Sequence, residues 1–521
     1  MLKPAILFKD NMVLQRDKVI PVWGTAEPGT AVTVSVQGQT AQTQTDPAGN
    51  WQIKIGPLSA SVSETLTICS GDEETVINNV AVGEVWLAGG QSNMEFHMRY
   101  DADMETEQPA CTNPGIRFFD YPEVSYVGQI DEADYGKEYG FWRPCTPEQL
   151  ERFSAVGYYF AKDLQRELDV PVGIIGCNWG GTPACAWMTK EAIAAGGGQV
   201  YLDEYEAAVR DLDLAQYDAA FRANPGNYKT DQLADPIGDM MMFGCTMEEF
   251  GAKLKELGVD PSAMENFGPV IGPKYERRPG GLYESMLLPI ASYGIRGVIW
   301  YQGETDGDTH PELYKTLFPA MIRCWRELWG EELPFFFVQI APLDQWMACF
   351  GEPYAIIRAA QQHTADTVPN TGMAVTSDVG MEHDIHPKKK QPVGHRLALQ
   401  ALVKVYGKEL LCEAPTLISC QAEDGKLILT FANAGDGLYL AEKAPYGQVI
   451  GAERLGGVRV TLDGVEYTEA DFEALAEGDH VILVNEKIQS GSKVKVRLAR
   501  TGWYLVNLYN SAGVPARPGE L

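Results

Sequence analysis

The chain has 521 residues, of which 45% are hydrophobic and 22% are charged, a composition typical of globular proteins. This length is too great for one hydrophobic core and predicts two or three domains. The formal net charge of −29, from 71 acidic and 42 basic residues, makes nucleic acid and anionic membranes poor partners because both would be repelled. An uncharged ligand would not be repelled.

The amino terminus carries no long apolar segment of the kind found in signal peptides. No stretch approaches the roughly 18 apolar residues of a membrane helix. We therefore expect a cytoplasmic protein that does not bind membranes. The ten cysteines include no C-x-x-C pair and are interpreted as reduced thiols.

Residues 1–83 predict a small β-sandwich accessory domain. Short runs rich in β-branched and aromatic residues lie at 19–23, 31–36 and 51–55, and turn sequences separate them. Several short strands at this spacing are typical of a sandwich.

Residues 84–408 alternate between strand-like and helix-like segments. The predicted strands lie at 85–88, 172–175, 297–301, 335–340 and 373–376. The predicted helices lie at 155–168, 313–329, 354–367 and 393–406. This alternation predicts an α/β fold with a mostly parallel sheet covered by helices on both faces. In such sheets, ligands bind beyond the carboxyl ends of the strands.

An insertion at about 190–280 interrupts this alternation. It is acidic and aromatic, with helices predicted at 201–214 and 246–257. A mobile cap, a specificity element and a passive decoration all fit this composition. Residues 409–521 return to strand patterns, at 427–431, 481–484 and 494–498, and predict a C-terminal β-rich domain.

Four short sequences follow strand-like runs and together supply the parts of an acyl-transfer site. They are GGQSNM at 89–94, WGGTP at 179–183, WYQGE at 300–304 and DIHP at 384–387. Ser92 follows two glycines, which allow a tight turn and an exposed hydroxyl nucleophile. A serine here is also compatible with simple helix capping. Met94 stands where the α/β-hydrolase motif G-x-S-x-G needs its second glycine.

A serine nucleophile needs a base, and the chain has seven histidines. His97 is predicted to share a helix with Ser92 and to point away from it, whereas His310 remains an alternative. His386 is favoured because Asp384 lies two residues earlier and can orient its ring. A metal site formed by His383, Asp384 and His386 is the competing interpretation, although no further ligand cluster supports it.

An oxyanion needs two or three hydrogen-bond donors. The candidates are the backbone amides of Ser92, Gly180 and Gly181 and the side-chain amide of Gln302. A plain turn at the two glycines and a buried hydrogen bond at Gln302 are the alternatives. Glu304 is predicted to support Gln302 or the serine turn.

Three aromatic residues flank these sequences and are candidates for stacking on a sugar: Trp179, Trp300 and Tyr301. The alternative is that they belong to the hydrophobic core, as most aromatic residues near a sheet edge do.

The four sequences, in this order, resemble those of sialate O-acetylesterase-type carbohydrate esterases, a branch of the SGNH (GDSL-like) hydrolases. MVLQR at 12–16, VWG at 22–24 and VNLYN at 506–510 resemble the same family, so the resemblance spans nearly the whole chain. It implies a flavodoxin-like SGNH core with β-sandwich accessory regions at both ends.

The resemblance also implies removal of acetyl groups from sugar hydroxyls without a metal or other cofactor. Ser92 matches the nucleophile, His386 the base and Asp384 the orienting acid. Gly180 or Gly181 and Gln302 match the oxyanion donors. In the wider superfamily an Asp stands three residues before the His, where this chain has His383, and the usual Gly-x-Asn-Asp sequence is absent.

The sequence therefore predicts a serine carbohydrate O-acetylesterase acting on an acetylated mono- or oligosaccharide, with sialic acid and plant glycans both open. A general short-chain ester or thioester hydrolase is the alternative enzyme. A catalytically inactive carbohydrate-binding protein is the alternative of another class. Oligomeric state, including a homo-oligomer, stays open.

Overall fold

The structure is a computed structural model that describes residues 1–224, 227–231, 233–256 and 271–521. The chain divides into two compact units. Unit 1 comprises Met1–Trp300 and Thr316–Phe335, and unit 2 comprises Tyr301–Lys315 and Phe336–Leu521. The three-domain division at residues 83/84 and 408/409 stays a prediction.

The helices and strands alternate through the middle of the chain. The helices are α1 (Ser92–Glu95), α2 (Met104–Glu107), α3 (Ala155–Leu168), α4 (Lys190–Ala195), α5 (Gln199–Val209), α6 (Leu214–Ala223), α7 (Pro236–Phe243), α8 (Met247–Glu256), α9 (Glu304–Gly307), α10 (Tyr314–Trp329), α11 (Tyr354–Thr367) and α12 (Gln391–Lys404). The first strands are β1 (Lys3–Pro4), β2 (Val13–Gln15), β3 (Ile20–Thr25), β4 (Ala31–Val36), β5 (Gln39–Gln44), β6 (Asn50–Ile55), β7 (Ser61–Ser70), β8 (Glu73–Gly90), β9 (Asn113–Asp120), β10 (Trp142–Cys145), β11 (Val172–Asn178) and β12 (Gly297–Tyr301).

The remaining strands are β13 (Phe335–Val338), β14 (Gln345–Trp346), β15 (Cys349–Phe350), β16 (Thr371–Ala374), β17 (Thr416–Glu423), β18 (Lys426–Ala432), β19 (Tyr439–Leu440), β20 (Val458–Leu462), β21 (Val465–Thr468), β22 (Glu473–Glu477), β23 (His480–Val484), β24 (Val494–Leu498), β25 (Leu508–Tyr509) and β26 (Gly519–Glu520). The protein is thus a mixed α/β protein with several sheets. The finer flavodoxin-like and sandwich layout stays a prediction.

Strand β8 links the amino-terminal strands of unit 1 to its central sheet. Its first part pairs antiparallel with β7, from Ser70↔Glu73 to Ser61↔Val82. Its last part pairs parallel with β11, from Val172↔Glu84 to Asn178↔Gly90. One continuous strand therefore crosses the boundary predicted at 83/84, which explains why no linker sequence marks that position.

Within unit 1 the central strands lie in the order β10-β9-β11-β8-β12. Strands β9 and β8 flank β11, and both pairings are parallel, as the sequence alternation predicts. Every residue of β11 is buried, which accounts for its continuous apolar sequence. Helix α3 has the predicted bounds and begins where the Ser154 side chain accepts a hydrogen bond from the Gly157 amide.

The predicted insertion contains α4 to α8 among its described residues, whereas residues 225–226, 232 and 257–270 lie outside the described part of the chain. The single helix predicted at 201–214 is wrong, because α5 ends at Val209 and α6 starts at Leu214. Asp213 causes this break by capping α6, since its side chain accepts hydrogen bonds from the amides of Ala215 and Gln216. The last residue of the helix predicted at 246–257 lies outside the described residues.

Unit 2 contains helices α11 and α12, the short strands β13 and β16, and a carboxyl-terminal β region. The β region includes a sheet of order β17-β18-β23-β22 and another of order β21-β20-β24-β26. Alternate apolar residues of β18 and β20 are buried in one shared cluster that includes Leu429 and Val460. Over the described ranges of both units, no helix is both long enough and apolar enough to span a membrane.

Candidate active site

Ser92 lies at the carboxyl end of a parallel strand, as the sequence predicts. Strand β8 ends at Gly90, Gln91 is the N-cap residue, and Ser92 is the first residue of α1. Gly90 has φ = 139°, a conformation that a residue with a side chain rarely adopts. This glycine lets the chain turn sharply from strand to helix and places Ser92, 9% exposed, at the strand end.

The parallel pairing of β11 with β8 brings the turn at 179–183 to the same edge. Asn178 pairs with Gly90, and the next amide, that of Trp179, donates to the Gly90 carbonyl at 3.1 Å. The Thr182 hydroxyl then donates to the Trp179 carbonyl at 2.7 Å and closes the turn. Two sequences about 90 residues apart therefore meet because their strands are neighbours.

Gly180 approaches Ser92 so closely that a side chain at this position would crowd its neighbours. A Cβ on Gly180 would lie 3.3 Å from the Ser92 Cβ and 3.2 Å from Glu95 Oε2. The Gly180 amide donates a hydrogen bond to Glu95 Oε2 at 2.8 Å. Unit 1 thus brings Ser92 and Gly180 together, but a carboxylate already occupies the Gly180 amide that was predicted to bind an oxyanion.

Glu95 belongs to a group of charges that sequence reasoning missed. Lys229 Nζ lies 2.9 Å from Glu95 Oε1 and 3.3 Å from Glu123 Oε2. Burial opposes charge on this lysine, but the carboxylates of Glu123 and Glu95 outweigh it and raise the pKa of Lys229. Burial would raise the pKa of the Glu95 carboxyl group, but the charge of Lys229 outweighs burial and lowers this pKa.

The second carboxyl group of this cluster behaves differently. Burial, followed by the neighbouring charge of Glu95, raises the pKa of Glu123 well above its usual range. Lys229 Nζ lies closer to Glu95, whose carboxylate accepts from the Gly180 amide, than to Glu123.

His97 is not on the helix that begins at Ser92, so that prediction is wrong. Helix α1 ends at Glu95, because Phe96 leaves the helical conformation with ψ = 104°. His97 is 6% exposed, and burial lowers the pKa of its imidazole to about 4. A neutral ring is expected at neutral pH.

In unit 2, Gln302 follows strand β12 and is fully buried. Its side-chain Nε2 donates to Asp306 Oδ2 at 2.5 Å, and its Oε1 accepts from the Tyr314 hydroxyl at 3.0 Å. These bonds fix which end of the amide carries the donors. The carboxylate bound to Gln302 is that of Asp306, while Glu304, 3% exposed, begins helix α9 and keeps its supporting role as a prediction.

Asp384 and His386 lie side by side in a buried turn of unit 2. Asp384 Oδ1 accepts a hydrogen bond from the His386 backbone amide at 2.8 Å, and it lies 3.8 Å from His386 Nδ1. Asp384 Oδ2 pairs with Lys388 Nζ at 2.8 Å. The carboxylate therefore holds the turn and stands next to the ring nitrogen that it was predicted to orient.

The three flanking aromatic residues differ in exposure. Trp300 is fully buried and packs edge-on against Trp325, with ring centroids 5.4 Å apart. Tyr301 is also fully buried, with Lys390 Nζ 5.4 Å from its ring centroid. Trp179 is half-buried, so burial favours it over the other two as a substrate contact.

Comparison with known proteins shows which family this chain resembles. A family model described as carbohydrate esterase, sialic acid-specific acetylesterase, matches residues 222–403. The sialate O-acetylesterase of Mus musculus is 28% identical over 465 residues, covering 81% of this chain and 77% of the mouse protein. That of Homo sapiens is 25% identical over 471 residues, covering 82% and 76%. A solved carbohydrate acetylesterase from Xanthomonas citri is similar in structure, with a TM-score of 0.71, 28% identity, and coverage of 100% of this chain and 99% of that one.

Over 81% of its length, the chain is similar to the sialate O-acetylesterase-type carbohydrate esterases. It is a carboxylic ester hydrolase, and the resemblance inferred from the four short sequences is confirmed. The family match begins at residue 222, inside the predicted insertion, so part of that segment belongs to the family pattern.

Two further features of this esterase escaped the sequence analysis. Trp346, on the β14–β15 hairpin, stands edge-on to His386, with ring centroids 5.2 Å apart. Glu95 directly follows the GGQSNM sequence, which was the available signal for it, whereas Lys229 had none. Among the described residues, no group of three or more His, Cys, Asp and Glu side chains has a geometry suited to a metal ion.

Proposed function

We propose that this esterase is a serine carbohydrate O-acetylesterase. The observation that carries the proposal is the turn at the end of β8. There, the positive φ of Gly90 presents Ser92, and Gly180 approaches within side-chain contact distance. A strand-end serine with backbone amides beside it is the arrangement that acyl transfer requires.

The proposed reaction has two steps. The Ser92 hydroxyl oxygen attacks the acetyl carbonyl, and its proton passes to His386. The C–O bond to the sugar then breaks, the sugar oxygen takes the proton from His386, and an acetyl-serine remains. Water, losing a proton to His386, attacks this ester. The C–O bond to Ser92 then breaks, the Ser92 oxygen takes the proton back from His386, and acetic acid is released and ionises to acetate.

Three groups are proposed to support these steps. Asp384 orients the His386 ring and stabilises its protonated form, consistent with its position 3.8 Å from Nδ1. Gln302 donates to the oxyanion, because Asp306 and Tyr314 hold its amide in one orientation. The remaining donors are the amides of Ser92 and Gly181, with Gly180 held by Glu95 in the resting enzyme.

Substrates are proposed to be acetyl esters of sugar hydroxyls. Two relatives are named sialate O-acetylesterases and the similar solved structure is a carbohydrate acetylesterase, so acetylated sialic acid and acetylated neutral oligosaccharides both belong in the test. Acetate release from this panel is expected for the wild-type enzyme and is expected to vanish in Ser92→Ala. Equal acetate release by Ser92→Ala would refute the serine mechanism.

A simple aryl acetate and an acyl thioester complete the panel. Faster hydrolysis of these compounds than of every acetylated sugar would favour the general ester hydrolase instead.

A further inference from the structure

Unit 1 contains a large cleft that shares none of its lining residues with the turns at Ser92 and Gly180. Its volume is about 1140 Å³, and strands β1, β3 and β6 form one wall. The loop between β9 and β10 forms the other wall, with Tyr135 among its lining residues. A cleft of this size accommodates several sugar units or a comparable ligand.

The wall formed by β3 and β6 presents an aromatic ring beside amide side chains. Trp23 pairs across the strands with Gln52, and Thr25 pairs with Asn50, so these side chains share one face of the sheet. The amides of Gln52 and Asn50 are exposed, and Trp23 is half-buried. Phe8 fixes the Trp23 ring by an edge-on contact at 4.9 Å between centroids.

A second tryptophan among the lining residues, Trp51, has an unsatisfied polar atom and lies one residue out of phase with Gln52 on the same strand. Trp51 lines the cleft and is 3% exposed, and its buried indole N–H has no hydrogen-bond partner within the described part of the chain. A buried donor without an acceptor costs about 1–3 kcal/mol, so nearly all such groups in proteins find a partner.

The charges of the cleft are nearly balanced, unlike those of the whole chain. Its charged lining residues are Lys3, Lys9, Asp46, Asp131 and Asp134. Two lysines against three aspartates leave one net negative charge, which neither attracts nor strongly repels an uncharged ligand. Strongly anionic ligands are disfavoured by the net charge of −29 around it.

We infer that this cleft is a second, non-catalytic binding site for a neutral oligosaccharide. A pyranose ring has an apolar face that packs on an aromatic ring and hydroxyl groups that exchange hydrogen bonds with amides, which both donate and accept. Trp23 supplies the stacking surface and Gln52 a hydrogen-bonding amide. Asn50, whose Nδ2 already donates to Asp46 Oδ2 at 3.1 Å, supplies its amide oxygen as an acceptor. The inference extends the proposed function, since such a site would hold the glycan that carries the ester.

The test is calorimetric titration of the Ser92→Ala enzyme with unacetylated xylo-, manno- and gluco-oligosaccharides. Binding by at least one series is expected. Adding Trp23→Ala or Gln52→Ala is expected to raise Kd about tenfold, a change that corresponds to ~1.4 kcal/mol. Trp23→Phe, which keeps an aromatic ring, is expected to retain most of the affinity. Tyr439→Ala is the control, because Tyr439 is an aromatic residue of unit 2 that is 46% exposed.

Absence of binding by every series overturns the inference, as does an unchanged Kd in both Trp23→Ala and Gln52→Ala. Trp23 also packs against neighbouring rings, so its variant is checked by thermal unfolding. Gln52 is exposed, so Gln52→Ala is expected to fold, and it still tests the site if Trp23→Ala does not fold. Acetate release from small acetylated sugars is expected to be unchanged in Gln52→Ala. Failure of the binding-site inference can therefore be distinguished from failure of the proposed Ser92 mechanism.

Discussion

The Glu95 carboxylate accepts a hydrogen bond from the Gly180 amide at 2.8 Å and thereby ties the helix that begins at Ser92 to the neighbouring turn. Ser92 and Glu95 are the two ends of the same short helix, and Gly180 follows the adjacent strand. Lys229, from the insertion, neutralises the carboxylate at 2.9 Å. This arrangement connects the insertion to the helix that begins at Ser92, a contact that a passive decoration would not need.

Glu95→Ala is expected to lower kcat about 100-fold, because the Gly180 turn loses its tether to the serine helix and misplacement of a site by about 1 Å costs that much. Glu95→Gln retains an acceptor for the Gly180 amide but loses the ion pair, and a smaller loss is expected. Steady-state kinetics on one acetylated sugar measure both variants. An unchanged kcat in Glu95→Ala would show that the tether has no part in turnover.

Lys229→Met is expected to lower kcat, as Glu95→Gln is, because each substitution removes one charge of the same ion pair. Lys229→Arg, which keeps the charge, is expected to recover much of the loss. Lys253→Met is the matched control: Lys253 lies in the same insertion, is 30% exposed compared with 26% for Lys229, and pairs with Glu256. Equal effects of Lys229→Met and Lys253→Met would contradict a specific role for Lys229.

Gln302→Ala is expected to lower kcat/KM by about 100- to 1000-fold, the usual cost of removing one oxyanion donor. Asp306→Asn is expected to lower it less, because the Gln302 amide remains but loses the carboxylate that orients it. Gln362→Ala serves as the control, since Gln362 and Asp366 form a Gln–Asp pair at the same spacing on α11. The donor role fails if Gln302→Ala leaves kcat/KM unchanged.

Asp384→Asn is expected to lower kcat by orders of magnitude, because a neutral amide cannot stabilise a protonated His386. The turn itself should survive, since the asparagine oxygen still accepts from the His386 amide. Circular dichroism and thermal unfolding check the fold while acetate release measures kcat. Near-wild-type turnover would assign the orienting role to another group.

Asp378, which precedes His386 in the sequence, is a candidate for that other orienting group. Both of its oxygens lie 2.7 Å from the Arg396 guanidinium, and it also accepts from the Tyr509 hydroxyl at 3.1 Å. Asp378→Asn is therefore expected to lower Tm, because it leaves a buried arginine without its carboxylate. A loss of kcat with an unchanged Tm would instead point to a catalytic role.

His97 makes stability depend on pH. Burial lowers its pKa to about 4 from an ordinary value of 6.5, so between these pH values the unfolded chain binds the proton and the folded chain does not. This contribution to stability is complete above pH 6.5 and falls by about 3 kcal/mol as the pH drops to about 4. Calorimetric unfolding at pH 7 and pH 4.5 should show a larger drop in Tm for wild type than for His97→Gln. Equal drops would mean that His97 does not carry this proton linkage.

The reaction class was readable from sequence because its parts are local. A strand followed by two glycines predicts a tight turn that places the nearby serine at the strand end, and Gly90 adopts the positive φ that such a turn needs. Asp384 and His386 are two residues apart, so their proximity in the turn needed no tertiary information. Helix α3 was predictable for the same reason, since its apolar spacing and its Ser154 cap lie within one segment.

Only the tertiary structure decided which charged and polar groups support these parts. The contact of Lys229 with Glu95 joins residues 134 positions apart, and no periodicity or spacing encodes such a pair. The burial that lowers the pKa of His97, and the choice of Asp306 as the partner of Gln302, likewise depend on packing. Hydrogen bonds and desolvation act over a few ångströms in space, whereas sequence patterns report only neighbours along the chain. The sequence by itself therefore determined the reaction class, and the folded chain determined how Gly180, Gln302 and His386 are held.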